Sequence, residues 1–568
     1  MSLSTSPKSN APVTLQQLIE TSGNDRDRQS HSLTQALTTL ISTSSSQLPK
    51  AKTSIAHIPF EQFRLDSRQL AANDVFILLK SQTPNCQKSR DYLFQAAEQA
   101  AFILSEIDPI ALLSTASVPP HANIELMDNA QALAPHQLAA LSCPVLYVPT
   151  IRDFLGDLIQ ARLQYQQPIT LPTVVAVTGT NGKTTISQLV AQLTQLTGMS
   201  SAVMGTAGNG RLGALVQASH TTGDALAVQQ FLYQMGVEDA ELLALEASSH
   251  GLDQQRLQGM PVSVAIYTNL SRDHLDYHAD MAEYAAAKAK LFDKAYFPDL
   301  THAIINIDDE HAQTMLDTAH ASGLTVWSYS LDSAKSATFV AADIKPSLQG
   351  VEIALRTDFG PEKINIIKLV SPLLGRFNVA NLLAAIAAAV ALGISLERIA
   401  DVIPQLQGAV GRMQRVPSND GCFIVDYAHT PDALSQVLAS LKTHCKGQLW
   451  AVFGCGGDRD AGKRPLMAQA GLAGADKVVL TADNPRTEDP NMILQDMQAG
   501  MNRAQYERTH IEPARQTAIE YAVKQAAPDD IVVIAGKGHE TYQEINHVRY
   551  DFDDSVILQH ALKQAGRL

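Results

Sequence analysis

Short apolar runs recur along the chain, and segments of helical length separate them. Between residues 173 and 330 these runs read TVVAVTGT, ELLALEASS, VSVAIYTNL, HAIINIDD and TVWSYS, with many Val, Ile and Leu residues. Strands that alternate with helices in this way are typical of βαβ units. The pattern therefore predicts a mostly parallel sheet in the middle of the chain.

The same rhythm restarts after Gly408 with CFIVDYAHTPD, QLWAVFGCGGDRD, DKVVLTADNPRTEDP and DIVVIAGKGHE. Each run leads directly into a polar loop that contains Gly or Pro. Ligands of open α/β sheets bind outside the carboxyl ends of the strands, so these loops predict a binding edge. Earlier in the chain, DVFILLK, AAFILSEI and PVLYVP predict a smaller α/β unit.

We expect an α/β protein of three domains: a small N-terminal unit over 1–168, a central parallel sheet over 169–408, and a Rossmann-like unit over 409–568. The length of 568 residues agrees with this number, since domains have about 150 residues each. Two polar segments, 1–12 and 24–56, are rich in Ser, Thr and Gln and predict a flexible tail and a long loop.

Charge and composition exclude some classes of function. Hydrophobic residues make up 45% of the chain and charged residues 18%, as in ordinary globular proteins. The 43 basic and 57 acidic residues give a formal net charge of −14, which would repel a polyanion. We therefore expect no nucleic-acid partner.

The cysteines and apolar segments indicate the compartment. The five cysteines are widely spaced and form no C-x-x-C pair, as expected in a reducing environment. The N-terminal residues lack the apolar run of a secretory signal. The stretch NLLAAIAAAVALGI at 381–394 is shorter than the ~20 residues that a membrane-spanning helix needs. We therefore expect a cytoplasmic protein without membrane insertion.

The segment GTNGKTT at 179–185 follows the strand pattern TVVAVT and opens a helix pattern, ISQLVAQLTQL. Gly179 and Gly182 allow backbone N–H groups to approach phosphate oxygens, Lys183 supplies positive charge, and the Thr184 hydroxyl can reach Mg²⁺. The spacing is shorter than in G-x-x-x-x-G-K-[ST], so an ordinary strand-to-helix turn is an alternative. The context predicts a nucleotide-binding loop and a P-loop ATPase-type central sheet.

A phosphate loop alone leaves switches, transport ATPases, kinases and ligases open. The sequence has no N-K-x-D segment of the kind that reads guanine. Glu246 ends the strand pattern ELLALE and is placed to act as the acidic partner of a magnesium ion. A surface glutamate at a strand end is the alternative, which the apolar neighbours disfavour.

A second cluster follows the strand pattern VSVAIYTNL and comprises Asp273, His274, Asp276 and His278. Oxygen ligands usually hold Mg²⁺ and histidine is unusual there, so a helix cap with a hydrogen-bonded histidine is an open alternative.

The helix pattern MAEYAAAKAKLF places Tyr284 and Lys288 on one face, four residues apart. A helical lysine is solvated by default, and the residues alone do not argue otherwise.

Nine segments occur in one order: GTNGKTT, EASSHGL, TNLSRDHLDYH, AAAK, GRFNVANLLAA, DYAHTPD, GCGGDRD, DNPRTEDP and GKGHE. Together they resemble the Mur ligases, the ATP-dependent amide ligases of peptidoglycan precursor synthesis, over about residues 60 to 560. DNPR is similar to the signature of members that add meso-diaminopimelate, whereas lysine-adding members lack the arginine.

The resemblance implies a cytoplasmic acid–amino acid ligase that supports cell-wall synthesis, cell shape and division. It would activate UDP-N-acetylmuramoyl-L-alanyl-D-glutamate as an acyl phosphate with ATP, join it to meso-diaminopimelate, and release ADP and phosphate. The N-terminal, central and C-terminal domains would bind the UDP-sugar, ATP and the amino acid, respectively. We expect a monomer.

The resemblance also implies catalytic and metal-binding residues. Thr184 and Glu246 would hold one Mg²⁺, and His274 would help to hold a second. Lys288 would be carbamylated, which converts its amine into an anionic oxygen ligand of the kind that Mg²⁺ prefers. Lys183, Lys288, His274 and Glu246 would be the catalytic residues.

Three sets of binding residues follow from the same resemblance. For ATP they are Gly179, Thr180, Asn181, Gly182, Lys183, Thr184, Thr185, Asn378, Asn381, Arg412 and His429, with a helix cap as the alternative for each asparagine. For the UDP-muramoyl dipeptide they are Leu65, Ser67, Thr221, Thr222, Ser248, Gln254 and Arg256. For diaminopimelate they are Arg459, Asp483, Asn484, Pro485, Arg486, Gly536 and Glu540.

One segment departs from the family pattern. Family members have a Gly-rich D-G-x-x-[FY] loop after the DVF strand, whereas this chain reads LLKSQTPNCQKSRDYLF, with the divergent part at 81–93. The competing functions are a lysine-adding ligase, a folylpolyglutamate-type synthetase, and a non-catalytic nucleotide switch. Arg486 and the SSHGL segment argue against the first two.

Overall fold

The computed structural model describes residues 11–22, 38, 55–81, 87–109, 112, 124–127, 143–217, 221–275, 277–347, 349–359 and 365–568. Most residues of the predicted flexible segments fall outside these ranges, as do residues 82–86 of the divergent loop. Asp276 also lies outside them.

A five-stranded parallel sheet forms the N-terminal part, in the order β1-β2-β3-β5-β4. Its strands are β1 (Phe63–Arg64), β2 (Val75–Leu78), β3 (Phe102–Ser105), β4 (Ile124–Met127) and β5 (Cys143–Tyr147). The accompanying helices are α1 (Leu15–Ser22), α2 (Gln87–Ala97) and α3 (Leu155–Gln166). Phe60, Phe102 and Leu158 are wholly buried in one of its apolar clusters.

The central part contains a ten-stranded sheet in the order β15-β14-β13-β12-β11-β10-β6-β9-β7-β8. Its strands are β6 (Thr173–Thr178), β7 (Ser201–Gly205), β8 (Gly208–Arg211), β9 (Leu242–Glu246), β10 (Val262–Tyr267), β11 (His302–Asn306), β12 (Thr325–Ser330), β13 (Phe339–Ser347), β14 (Gly350–Thr357) and β15 (Asn365–Ser371). The strands from β13 to β7 are parallel, while β8, β14 and β15 pair antiparallel at the edges.

The helices described in this central part are α4 (Lys183–Leu196), α5 (Ala225–Val237), α6 (Ser249–Asp253), α7 (Met281–Ala289), α8 (Ala312–Ala321), α9 (Arg376–Ala391) and α10 (Leu396–Val402). Helix α9 carries most of the long apolar stretch that the sequence showed. It packs on α4 inside the central core, where Leu382 and Ile386 are wholly buried. Among the helices of the described ranges, none has the length and apolarity to cross a membrane.

The C-terminal part has a six-stranded sheet in the order β16-β17-β21-β18-β19-β20 and a separate hairpin, β22-β23. The strands are β16 (Gln414–Val416), β17 (Cys422–Asp426), β18 (Leu449–Phe453), β19 (Lys477–Leu480), β20 (Thr509–Ile511), β21 (Ile531–Ala535), β22 (Tyr542–Ile545) and β23 (Val548–Asp551). The helices are α11 (Pro431–Lys442), α12 (Lys463–Gly474), α13 (Pro490–Gln498), α14 (Arg503–Glu507), α15 (Arg515–Gln525) and α16 (Asp554–Gln564).

The predicted fold class is confirmed, because parallel sheets form the middle of all three parts. Every apolar run that predicted a strand lies in one. The strands β13 to β15 and the hairpin β22-β23 were not predicted, although the alternation of Val351, Ile353 and Leu355 with other residues in β14 was a usable signal. The domain divisions after residues 168 and 408 stay predictions, and each sheet lies on one side of them.

Candidate active site

The loop between β6 and α4 has the backbone of an anion-binding turn. Gly179 and Gly182 have φ of 145° and 88°, which non-glycine residues rarely adopt. A Cβ at Gly179 would lie 1.8 Å from Thr268 Oγ1, and one at Gly182 would lie 2.7 Å from Asn381 Oδ1. This loop conformation therefore requires glycine at both positions. The loop leads into the N-terminal end of α4, where the helix dipole is positive and favours the binding of phosphate.

Neighbouring strands hold this loop in place. Thr180 N donates to Asn269 O at 2.8 Å, and Asn181 N donates to Asn269 Oδ1 at 3.0 Å. The hydroxyl of Thr180 lies 3.2 Å from Tyr284 Oη. Thr185 is buried within α4. The predicted phosphate-binding residues therefore form one turn supported by β10 and α7.

Two lysines converge on the same turn. Lys183 Nζ donates to Gly179 O at 2.9 Å and to Thr180 O at 2.8 Å, and Lys288 Nζ donates to Gly179 O at 2.9 Å. Burial lowers the pKa of both ammonium groups, and the positive charge of Lys183 lowers the pKa of Lys288 further. The default expectation of a solvated lysine is wrong for Lys288, which is 1% exposed and lies 4.5 Å from the Tyr284 ring centre.

Glu246 lies beside the phosphate loop because β9 pairs with β6, with Glu246 opposite Val177. Its carboxylate is buried, with Oε1 accepting from Thr206 N at 2.8 Å and Oε2 lying 3.1 Å from Thr206 Oγ1. Thr184 is also buried, at the start of α4. A carboxylate and a hydroxyl are donors that suit Mg²⁺. Within the described ranges, no three His, Cys, Asp or Glu residues are gathered as a metal site.

His274 belongs to a cluster of rings beside α7. Its ring centre lies 4.9 Å from that of His250 and 6.0 Å from that of Tyr284. His274 N donates to Asp273 Oδ1 at 2.9 Å, and its φ is 53°. His278 is buried in the same cluster, 5.2 Å from the Tyr284 ring, and burial lowers its pKa. Tyr284 therefore lies near both His274 and Lys288, and the metal-binding roles of His274 and Lys288 stay predictions.

One of the two predicted asparagines of α9, Asn381, contacts the phosphate loop. Asn381 Oδ1 lies against Gly182, and Asn381 Nδ2 donates to Asn378 Oδ1 at 3.1 Å. Asn378 Nδ2 in turn donates to Leu374 O at 2.8 Å. Asn381 therefore contacts the loop itself, whereas Asn378 fixes the orientation of Asn381.

The C-terminal part brings Arg412 towards the loop, and His429 lies beside the same tyrosine as Arg412. The guanidinium of Arg412 lies 4.5 Å from the Tyr427 ring centre, and its positive charge contributes to the lowered pKa of Lys183. His429 Nδ1 lies 2.9 Å from Tyr427 O. Both residues are therefore held by Tyr427, and Arg412 acts electrostatically on a phosphate-loop lysine.

Four of the residues predicted for the UDP-muramoyl dipeptide form one hydrogen-bonded group. Arg256 donates to Thr222 O from Nη1 at 3.0 Å and to Gln254 Oε1 from Nη2 at 2.7 Å. Thr222 Oγ1 donates to Glu246 O at 2.9 Å and accepts from Ser248 N at 3.1 Å. Thr222 therefore attaches these four residues to the end of β9, where Glu246 lies.

A cleft of about 300 Å³ lies beside Gln254 and Arg256. Its other walls include Lys80 and Arg152 of the N-terminal part and Asp224 of the central part. Sequence reasoning missed Lys80 and Arg152, because Arg152 lies in no recognisable motif and Lys80 belongs to the segment that departs from the family.

Arg152 connects the two sides of this cleft. Its guanidinium donates to Glu106 Oε1 at 2.8 Å, to Lys80 O at 3.1 Å and to Gln254 O at 3.0 Å. The N-terminal loops and the central part are therefore joined by one side chain at the cleft.

Of the remaining dipeptide residues, Leu65 and Ser67 lie in the N-terminal part, whereas Thr221 directly precedes Thr222 of that group. Ser67 Oγ donates to Gln95 Oε1 at 2.8 Å inside the N-terminal part, and Leu65 packs against the N-terminal core. Thr221 Oγ1 lies 3.1 Å from Thr206 Oγ1, on the Glu246 side.

The residues predicted for diaminopimelate meet at the carboxyl ends of β19 and β21. Asn484 Nδ2 donates to Glu540 Oε2 at 3.0 Å. A Cβ at Gly536 would lie 3.2 Å from Asp483 Oδ2, so the chain passes close to that carboxylate. Arg486 Nη1 donates to Gly457 O at 2.6 Å.

The Gly-rich loop after β18 contacts the same residues. A Cβ at Gly456 would lie 3.0 Å from Arg486 Nη1 and 3.9 Å from Arg459 Cγ, and one at Gly457 would meet Pro485 O. Arg459 and Arg486, the two arginines predicted to bind diaminopimelate, therefore both lie beside Gly456.

Lys537 is a further member of this group that sequence reasoning did not select. Its wholly buried ammonium group donates to Asn484 Oδ1 at 3.1 Å and to Glu540 Oε2 at 3.0 Å, and it lies 3.7 Å from Asp483 Oδ1. Lys537 is the lysine of the GKGHE segment and follows the strand β21. Its place after the carboxyl end of a strand could have identified it as a candidate binding residue.

Two family models match the chain: the Mur ligase middle domain over residues 177–389 and the Mur ligase glutamate ligase domain over residues 411–538. A UDP-N-acetylmuramoyl-L-alanyl-D-glutamate--2,6-diaminopimelate ligase of Vibrio vulnificus (strain YJ016) is 39% identical over 510 residues, which are 89% of this chain and 95% of that protein. The chain belongs to the Mur ligase family.

Solved structures agree with this membership. One titled as a UDP-N-acetylmuramoyl-L-alanyl-D-glutamate--2,6-diaminopimelate ligase matches this Mur ligase with a TM-score of 0.68 and 42% identity, covering 93% of this chain and 99% of the other. A folylpolyglutamate synthase of Mycobacterium tuberculosis matches with a TM-score of 0.52 and 18% identity, covering 69% and 92%, and shares the fold alone. The predicted family is confirmed, and its members are ATP-dependent amide ligases.

Proposed function

We propose that this Mur ligase joins meso-diaminopimelate to UDP-N-acetylmuramoyl-L-alanyl-D-glutamate while it cleaves ATP to ADP and phosphate. The names of the Vibrio vulnificus relative and of the solved structure support this activity. The observation that carries it for this chain is Arg486, which lies beside Asn484 and Gly457 at the carboxyl edge of the C-terminal sheet.

The charges around Arg486 fit a substrate with two amino-acid heads. One head of diaminopimelate reacts through its amine, while the other must be held with its ammonium and carboxylate groups ionised. Arg486 offers a planar fork for the distal carboxylate, and Glu540 offers an acceptor for the distal ammonium. Lysine has no distal carboxylate, so an arginine here selects by charge.

The reaction proceeds through an acyl phosphate. A carboxylate is a poor electrophile because oxide would have to leave, so the γ-phosphoryl group of ATP is first transferred to a carboxylate oxygen of the dipeptide. The amine of diaminopimelate then attacks the acyl carbon and phosphate leaves. Lys183 and the N-terminus of α4 stabilise the charge on the transferring group.

We further propose that Mg²⁺ takes part, with two ions bound. Thr184 and Glu246 would hold one, and His274 and carbamylated Lys288 would hold the second. Oxygen donors of a hydroxyl, a carboxylate and a carbamate suit this ion, which would neutralise charge on the phosphates. Removal of divalent cations with EDTA should stop phosphate release, and added Mg²⁺ should restore it.

We also propose that the protein works as a monomer in the cytoplasm. Free UDP-sugar and ATP are cytoplasmic substrates. Light scattering of the purified protein after size exclusion should give a mass near 61.2 kDa. A mass of twice that value would contradict the monomer.

Phosphate release from ATP tests the main proposal. The purified enzyme is given UDP-N-acetylmuramoyl-L-alanyl-D-glutamate with either meso-diaminopimelate or L-lysine as the acceptor. We expect strong dependence on the dipeptide and on diaminopimelate, together with a ligated product detected by mass spectrometry. Omission of the dipeptide is the control for uncoupled ATP cleavage.

Two outcomes would contradict the proposal. Activity with lysine alone would show that Arg486 does not select the acceptor and would favour a lysine-adding ligase. ATP turnover that is indifferent to dipeptide and acceptor would favour the nucleotide switch.

A further inference from the structure

The hairpin β22-β23 is attached to the loop that carries Arg486. Arg486 N donates to Glu544 O at 3.0 Å, and Asn546 N donates to Arg486 O at 2.7 Å. Glu544 N also donates to Asn484 Oδ1 at 2.9 Å, and Gln543 Nε2 donates to Asp483 O at 2.6 Å. The hairpin and the DNPR loop therefore form one hydrogen-bonded unit.

This attachment explains the backbone of Arg486. Its φ of 51° lies in the left-handed region, which is unfavourable for a residue with a side chain. The two backbone hydrogen bonds to the hairpin stabilise this conformation. The position of the Arg486 side chain thus depends on the hairpin.

The guanidinium group of Arg486 contacts the protein through two of its nitrogen atoms, Nη1 and Nε. Nη1 donates to Gly457 O at 2.6 Å, and Nε lies 3.8 Å from Glu544 Oε2. The side chains of Arg486 and Glu544 are only 22% and 21% exposed, so solvent screens this pair weakly. Within the described residues, Nη2 donates no hydrogen bond, and it remains available to a ligand.

We propose that Glu544 is a positioning residue that determines acceptor specificity through Arg486. Its carboxylate restrains the Nε side of the guanidinium, so that Nη2 is presented to the distal carboxylate of the amino-acid substrate. A guanidinium restrained in this way loses less rotational freedom when it binds a carboxylate. This inference rests on the proposed function.

The variant Glu544→Ala tests the role. We expect KM for meso-diaminopimelate to rise about fivefold, as for a partly exposed ion pair, while kcat and KM for ATP stay unchanged. Glu544→Gln should give a KM between those of the wild type and Glu544→Ala, because the amide oxygen keeps a partial negative charge beside Nε but no full charge. Val548→Ala is the matched control, since this residue lies on the same hairpin and is half-exposed.

A double-mutant cycle separates positioning from general loosening of the hairpin. Because Glu544 acts through Arg486, Glu544→Ala should have no further effect on kcat/KM for diaminopimelate in an Arg486→Ala background. An undiminished effect in that background would overturn the proposal. An equal rise in KM for ATP, or no change in the single variant, would also overturn it.

The same assay distinguishes this inference from the function on which it rests. Wild-type turnover that does not depend on diaminopimelate contradicts both. Diaminopimelate-dependent turnover with an unaffected Glu544→Ala variant contradicts the role of Glu544 alone.

Discussion

Lys183 and Lys288 share one hydrogen-bond acceptor, the carbonyl oxygen of Gly179, which lies 2.9 Å from each ammonium nitrogen. Burial lowers the pKa of both groups, and the charge of Lys183 adds to the effect at Lys288. The neutral amine of Lys288 is therefore favoured relative to a solvated lysine. A neutral amine is the form that reacts with CO₂ to give a carbamate.

We predict that Lys288→Ala abolishes ligation, because the variant cannot supply a carbamate oxygen. Added acetate or another short carboxylic acid should restore part of the activity, since it can occupy the vacated space and offer the same donor. Phosphate release with all three substrates measures both effects. The exposed Lys294→Ala is the control. Full activity of Lys288→Ala would contradict the carbamate.

Loss of Arg486 should affect the acceptor and spare the nucleotide. We predict that Arg486→Ala raises KM for meso-diaminopimelate by about 10- to 100-fold, as expected for the loss of a hydrogen bond from a charged guanidinium to a carboxylate. KM for ATP should change little, because the described contacts of Arg486 are to Gly457 and the hairpin and not to the residues predicted for ATP. Arg503→Ala is the control, since the Arg503 side chain is 94% exposed. Equal increases in both constants would contradict the assignment.

Arg256 lies in the predicted dipeptide group, where it fixes Gln254 and the Thr222 carbonyl. We predict that Arg256→Ala raises KM for the UDP-muramoyl dipeptide by about tenfold or more, as expected for the loss of a charged hydrogen bond. KM for diaminopimelate should be unaffected. Initial rates at varied dipeptide concentration measure this change, with the exposed Arg398→Ala as the control. An unchanged dipeptide KM would remove Arg256 from the site.

The contact between Asp157 on α3 and Gln258 should make stability depend on pH. Asp157 Oδ2 accepts from Gln258 Nε2 at 2.6 Å, and burial raises the pKa of the carboxyl to about 6. The unfolded value is about 3.9, so the folded protein binds more protons between these pH values. This contribution to stability is therefore present at low pH and is lost as the pH rises through about 6.

We predict that Asp157→Asn stabilises the protein by about 1–2 kcal/mol at pH 8 and has little effect at pH 4, because asparagine carries no charge and still accepts from Gln258. Thermal unfolding at both pH values measures the difference. The control is Asp239→Asn, a change at an exposed turn. The same shift in melting temperature at pH 4 and pH 8 would contradict the raised pKa.

Individual residues show what the sequence could predict. The phosphate loop and Glu246 were found because each combines residue types with a fixed position after a strand pattern, whereas the role of the DNPR segment came from the resemblance to the family. Lys288 was assigned only by resemblance, since its burial depends on α7 packing against the turn at Gly179. Arg152 was missed because its partners Glu106 and Gln254 are far away in the chain.

The sequence by itself determined the α/β class, the order of the strands along the chain, and the residues at their carboxyl ends, because these depend on local patterns of apolar residues and turns. Only the tertiary structure decided that two lysines meet at Gly179, that Arg152 joins two parts of the chain, and that Glu544 lies beside Arg486. Such contacts depend on the packing of segments distant in sequence, and no local pattern records which distant segments meet.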